Sequence, residues 1–187
     1  MAKDQQPSEI GATLGKHIAL VGLMGAGKSA IGRRVASAIG ARFLDADREI
    51  ERAAGMTIPD IFETRGEAEF RDGERRVIAR LLDEEPLVLA TGGGAFIDDE
   101  TRGLMAQHAT TIWMRADLDV LVRRCGKRGN RPLLKNGDPR EILGRLMALR
   151  YPIYAEADIE VHSRDEPHEV AVNEIIRQLK ERGELEM

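Results

Sequence analysis

The stretch GLMGAGKS, Gly22 to Ser29, follows the apolar run HIALV and precedes the helical pattern AIGRRVASAIG. It matches G-x-x-x-x-G-K-[ST] at every required position, in a strand–loop–helix setting. A chain with this feature must end a strand on bare backbone and begin a helix at once. Glycines let successive N–H groups wrap an anion without a β-carbon in the way. The helix adds its unpaired N-terminal donors and its positive dipole end. Phosphate suits this arrangement, with Gly25, Ala26, Gly27, Lys28, Ser29 and Ala30 as candidate contacts. Lys28 is expected to reach the β and γ phosphates, and Ser29 to offer its hydroxyl to Mg2+. A chance glycine turn is the alternative, and the complete pattern in its context disfavours it.

The rest of the chain supplies a fold for this loop. Short strand-like runs at Ile18–Val21, Arg42–Ala46, Leu87–Thr91, Thr110–Arg115 and Ile159–His162 alternate with helical patterns. Ile31, Val35 and Ile39 form one apolar stripe, and Val172, Ile175, Ile176 and Leu179 form another. Pro167 is expected in the first turn of that last helix, with Gly183 just past its end. Such alternation predicts an α/β fold with three layers, a five-stranded parallel sheet covered by helices on both faces. At 187 residues and 42% hydrophobic content, one domain with a real core is expected. A formal net charge of -4 with only 4% aromatic residues argues against a nucleic-acid partner. No apolar run reaches membrane-spanning length, and residues 1–16 read as a disordered lead-in without a secretory core. The single cysteine, Cys125, allows no internal disulfide and fits a reducing, cytoplasmic setting.

Two segments exceed a minimal crossover. Residues 47 to about 82 read as a helical insertion over the site. Residues 126–139, GKRGNRPLLKNGDP, read as a lid, because long polar loops in compact domains are uncommon. Next to the insertion lies FLDAD. Asp45 and Asp47, two apart on an extended strand, are expected to face one side together. Asp45 is assigned to the Mg2+ water shell and Asp47 to an acceptor hydroxyl; capping of a helix that starts at Arg48 is the alternative. The run Gly92, Gly93, Gly94 falls at the C-terminal end of a strand, where open α/β sheets bind ligands, although a plain tight turn would read the same way. Arg131, held between Asn130 and Pro132, is the candidate for neutralising charge on the transferred phosphoryl group. Arg71 and Arg150 are candidate partners for a carboxylate, which a guanidinium can grip at two points.

GLMGAGKS, FLDAD, GEAEFR, ATGGGAF, NRPLL and LRYPIY occur in an order and approximate spacing that resemble the shikimate kinase family. The resemblance runs from about His17 to Pro167. It implies a P-loop fold like that of nucleoside monophosphate kinases, and transfer of the γ-phosphoryl group of ATP, with Mg2+, to the 3-hydroxyl of shikimate on the way to aromatic amino acids. By motif position it implies shikimate contacts at Asp47, Arg71, Gly93 and Arg150, with Gly92 and Gly94 beside them. It also implies ATP contacts along Gly25–Ala30, the lid arginine at Arg131, and Arg124 and Pro167 flanking the adenine. Lys28, Asp47 and Arg131 are then the expected catalytic side chains, and Ser29 and Asp45 the expected metal side. The partners implied are shikimate and ATP; neither nucleic acid nor membrane is expected, and a monomer is expected. Another small-molecule kinase of similar fold, such as a gluconate kinase, and a non-catalytic ATP-binding regulatory module are the rival readings.

Overall fold

The computed structural model describes residues 13–127 and 134–186. Five strands form one sheet: β2 (His17–Val21), β3 (Phe43–Asp45), β4 (Val88–Ala90), β5 (Ala109–Arg115) and β6 (Ile159–His162). Their order is β3-β4-β2-β5-β6, and every pairing is parallel. All five residues of β2 are buried, as a central strand covered on both faces requires. Eight helices flank or cap the sheet among the described residues: α1 (Lys28–Ile39), α2 (Ala46–Ala54), α3 (Ile58–Arg65), α4 (Glu67–Leu82), α5 (Asp99–His108), α6 (Leu118–Gly126), α7 (Pro139–Tyr154) and α8 (His168–Glu181). The expected α/β/α architecture with a five-stranded parallel sheet is the one observed.

Parallel strands all present their C-terminal ends at one edge, and the chain reverses its lateral direction at β2. The loop after β2 therefore opens into the crevice between the connections to β3 and β5, where such sheets bind ligands. The insertion between β3 and β4 is helical, as expected, and comprises α2, α3 and α4. α4 carries the apolar stripe Phe70, Val77, Ile78, Leu81. It is tied to α5 by Arg75, whose Nε and Nη2 each donate to Asp98 at 3.2 Å. Asp98 also accepts from the Thr101 amide at the start of α5. Burial alone would raise the Asp98 carboxyl, but Arg75 and Thr101 hold it at about 2.

Three boundaries differ from the sequence reading. The lead-in was expected to extend through residue 16. Instead Thr13–Leu14 forms β1, antiparallel to β7 at Leu185–Glu186. Two residues with one half-buried leucine leave too little periodicity to show as a strand, and the pairing partner lies at the other end of the chain. Pro167 stands just before α8, at its N-cap, rather than inside the first turn. β3 stops at Asp45, and Ala46 already opens α2. No helix among the described residues is long and apolar enough to cross a membrane.

His17 joins the opposite, N-terminal edge of the sheet. It is 4% exposed, and its Nδ1 accepts the Leu87 amide proton at 3.3 Å. Nε2 must then carry the hydrogen, which it donates to the Leu82 carbonyl at 3.2 Å. One neutral imidazole thus fastens the end of α4 to the start of β4. Burial lowers its pKa below 6.5, with His108 adding to the effect and the Leu82 carbonyl opposing it. Because the folded pKa is depressed, the unfolded chain takes up this proton first. Stability is full above about pH 6.5 and declines as pH falls toward the folded pKa. Urea unfolding at pH 7.5 and 5.5 is expected to show lower stability at the acid value. The His17→Asn variant, less stable overall, should lose less between the two; equal losses in both proteins would contradict this role.

Candidate active site

The loop after β2 is built from glycines in conformations that side chains disfavour. Gly22, Gly25 and Gly27 have φ of 139°, 81° and 93°. A β-carbon at Gly22 would also stand 2.7 Å from the Met114 carbonyl oxygen. Lys28 opens α1 and is 9% exposed; its Nζ donates to the carbonyls of Gly22 at 2.7 Å and Leu23 at 2.8 Å. These bonds hold the ammonium inside the curve of its own loop. Ser29 follows in the first turn of α1. Its hydroxyl donates to Asp45 Oδ2 at 2.5 Å.

Asp45 and Asp47 do not share a strand face, as alternation along β3 led us to expect. Asp45 ends the strand and caps α2, accepting the Asp47 amide at 3.0 Å through Oδ1. A helix leaves its first amides without partners, and a carboxylate just ahead of it satisfies one of them. The capping role thus falls to Asp45, while Asp47 stands in the first turn of α2. Both carboxylates still reach the C-terminal edge of the sheet. Asp45 faces Ser29, and Asp47 faces the glycine run after β4.

That run explains itself by space rather than by backbone angle, for none of Gly92, Gly93 and Gly94 has positive φ. Each glycine meets a different charged side chain. A β-carbon on Gly92 would lie 2.9 Å from Asp47 Oδ1 and 3.0 Å from Glu74 Oε2. One on Gly93 would lie 3.4 Å from Arg150 Nη1 and 3.5 Å from the Met24 nitrogen in the phosphate loop. One on Gly94 would lie 2.5 Å from Arg71 Cζ and 2.6 Å from its Nη2. Three charged groups predicted from separate segments, Asp47, Arg71 and Arg150, therefore converge on one short strip of backbone. The run also turns tightly, with the Ala95 amide donating to the Gly92 carbonyl at 3.2 Å, so the two readings of it coexist.

Glu74 was not foreseen. Its side chain is 3% exposed, and Oε1 accepts from Arg71 Nη1 at 2.8 Å. Oε2 is buried without a hydrogen-bond partner. Burial raises its pKa, Arg71 opposes that, and the negative charges of Asp47 and Asp98 add to the rise. A signal was present in the sequence: Glu74 occupies the apolar stripe of α4, four after Phe70 and three before Val77. A carboxylate on a core-facing stripe needs a partner, and Arg71 lies one turn back. Arg150 is its counterpart from α7. Its Nη1 is likewise buried with no hydrogen-bond partner.

On the other side of the phosphate loop, Arg124 from α6 spans two loops. Nη1 donates to the Gly25 carbonyl at 3.2 Å and to Ser163 Oγ at 2.8 Å, and Nη2 donates to the Arg164 carbonyl at 2.7 Å. Pro167 lies beyond these residues and lines a small surface cleft with Ile31, Ser163 and Arg164. Arg131 and the middle of the expected lid, residues 128–133, lie outside the described residues. Among those described, no group of three or more His, Cys, Asp or Glu could hold a metal ion by itself.

The comparisons with known proteins agree with this geometry. The shikimate kinase family model matches residues 24–180. A shikimate kinase of Rhodopseudomonas palustris is 55% identical over 178 residues, covering 95% of this chain and 88% of that protein. One of Paramagnetospirillum magneticum is 58% identical over 166 residues, covering 89% and 85%. Among solved structures, shikimate kinase from Acinetobacter baumannii in complex with shikimate superposes with a TM-score of 0.87 at 36% identity, over 89% of this chain and 94% of that one. On this similarity, with a phosphate loop facing a glycine run ringed by arginines and acids, the chain belongs to the shikimate kinase family.

Proposed function

We propose that the chain transfers the γ-phosphoryl group of ATP to the 3-hydroxyl of shikimate, giving shikimate 3-phosphate and ADP for aromatic amino-acid synthesis. The observation that carries this reading is the meeting of Arg71, Arg150 and Asp47 over Gly92–Gly94, directly beside the phosphate loop. Two guanidinium groups suit an acid, and a carboxylate suits its hydroxyls.

Each residue then has a separate task. The amides of Gly25–Ala30 and Lys28 hold the nucleotide phosphates, and Arg124 and Pro167 lie on the base side. The phosphoryl transition state is loose, so alignment and charge neutralisation dominate over acid–base chemistry. Lys28 neutralises charge on the oxygens of the transferred group, and Arg131 is assigned the same task from its motif. Asp47 orients the acceptor hydroxyl and takes its proton late. Arg71 and Arg150 hold the acceptor carboxylate, while Glu74 fixes the Arg71 fork. Ser29 and Asp45 offer hard oxygen donors side by side at the mouth of the loop, which fits Mg2+ shared with phosphate. That ion supplies positive charge at the β and γ phosphates when bound. The lone cysteine supports a reducing, cytoplasmic place of work, and we propose a monomer acting on two small molecules.

Release of ADP is expected on adding shikimate and not on adding gluconate. ATP binding without turnover of either acceptor would favour a regulatory module. Lys28→Ala is expected to lower kcat by about a hundredfold or more, the scale of losing one preorganised positive donor, which single-turnover assays would read. Arg71→Ala and Arg150→Ala should each raise KM for shikimate by about 10- to 100-fold, as loss of a charge-assisted pair implies, with KM for ATP little changed. Gly94→Ala gives a sharper test, because its methyl group collides with a movable guanidinium rather than with backbone. Its Tm should stay within about 5 °C of the parent while KM for shikimate rises. A parent-like KM would show that Arg71 does not need its place on Gly94.

A further inference from the structure

Tyr154 is the last residue of α7 and stands one helical turn after Arg150. It is fully buried, and its ring packs near Phe96 at 6.4 Å, Trp113 at 6.0 Å and Tyr151 at 6.2 Å. From inside this aromatic cluster its hydroxyl donates to the Gly93 carbonyl. Burial pushes the phenol up to about 12, with the charge and hydrogen bond of Arg150 opposing, so at neutral pH it keeps the proton it donates.

The consequence follows from peptide geometry. In a planar trans peptide the carbonyl and the next N–H point in opposite directions. Fixing the Gly93 carbonyl on Tyr154 therefore fixes the Gly94 N–H, pointing away from the aromatic cluster. Glycine carries no side chain to steady such a unit, and three in a row leave that backbone unusually free to turn. The Gly93 site also touches both halves of the active site: Arg150 on one side and the phosphate loop at Met24 on the other. A wandering Gly93 peptide would disturb both.

We infer that Tyr154 is a positioning residue for acceptor binding, whose hydroxyl pins the Gly93 carbonyl and so orients the Gly92–Gly94 backbone beneath Arg150 and Arg71. It touches neither substrate. The inference rests on the acceptor site proposed above. It also assigns a task to the second tyrosine of the LRYPIY block, which the sequence reading left without one.

Tyr154→Phe removes the hydroxyl and keeps the ring. Tyr151→Phe is the matched control, since Tyr151 also donates a hydroxyl to a backbone carbonyl, that of Ala116 at 2.5 Å, from the same cluster. Tyr154→Phe should raise KM for shikimate by about tenfold, one hydrogen bond's worth, with kcat and KM for ATP within about twofold. Tyr151→Phe should leave KM for shikimate within about twofold, because its hydroxyl bonds the Ala116 carbonyl rather than the glycine run. Hydrogen exchange of the protein without substrates should quicken at 92–96 in Tyr154→Phe and not in Tyr151→Phe. A parent-like KM in Tyr154→Phe, equal changes in both variants, or unchanged exchange at 92–96 would overturn the inference. A parent protein inert toward shikimate would instead sink the proposed reaction, and the exchange measurement would still decide what Tyr154 holds.

Discussion

Two stretches of bare backbone lie against each other at the C-terminal edge of the sheet, and the site depends on their close approach. They are bare for different reasons. Gly22, Gly25 and Gly27 adopt φ values that a β-carbon would strain, so that their loop can curl around an anion. Gly92, Gly93 and Gly94 adopt ordinary angles but have charged groups where their β-carbons would be. The first run shapes a cradle from main-chain donors. The second lets side chains from α2, α4 and α7 crowd onto one strip of backbone. Parallel strands bring the two together, because every strand delivers its C-terminal loop to the same edge.

Crowding like charges and opposite charges into such a strip requires balance. Asp47 and Glu74 share the space over Gly92, and Arg71 and Arg150 bracket them over Gly94 and Gly93. Glu74 has one oxygen on Arg71 and the other buried without a partner, and its pKa is raised. Arg150 likewise has a buried nitrogen without a hydrogen-bond partner. Buried polar atoms left in this condition carry a free-energy penalty of about 1–3 kcal/mol each. A fold keeps them where binding uses them. The proposed acceptor, with an anionic group and hydroxyls, offers complementary partners to both kinds.

How much of this could be read in the sequence depends on whether the signal was local. β2 is continuous apolar sequence followed by a complete motif, so strand, loop and helix were all legible. The triple glycine was legible as a feature but not as a cause, since the charged groups above it come from positions 47, 71, 74 and 150 only after folding. Asp47 was misplaced because FLDAD reads equally as strand or cap, and the Asp45 carboxylate settles the choice by closing α2. Glu74 was hidden among the charges of RDGERR, although its place in the apolar stripe of α4 marked it. Tyr154 was hidden for the opposite reason: a tyrosine on a helix reads as core, and its hydroxyl partner lies 61 residues away. The β1–β7 pairing is also wholly non-local.

Arg124 has a consequence of its own. Its single guanidinium fastens the Gly25 carbonyl to Ser163 and to the Arg164 carbonyl, linking loops that leave two different strands. The proposed phosphate cradle and the proposed base-side wall are consequently joined through one side chain. A substitution that moves Ser163 or the Arg164 carbonyl also pulls on the guanidinium that holds Gly25. If the proposed donor site is right, donor selectivity and transfer rate share this one guanidinium, and directed evolution would have to change them together.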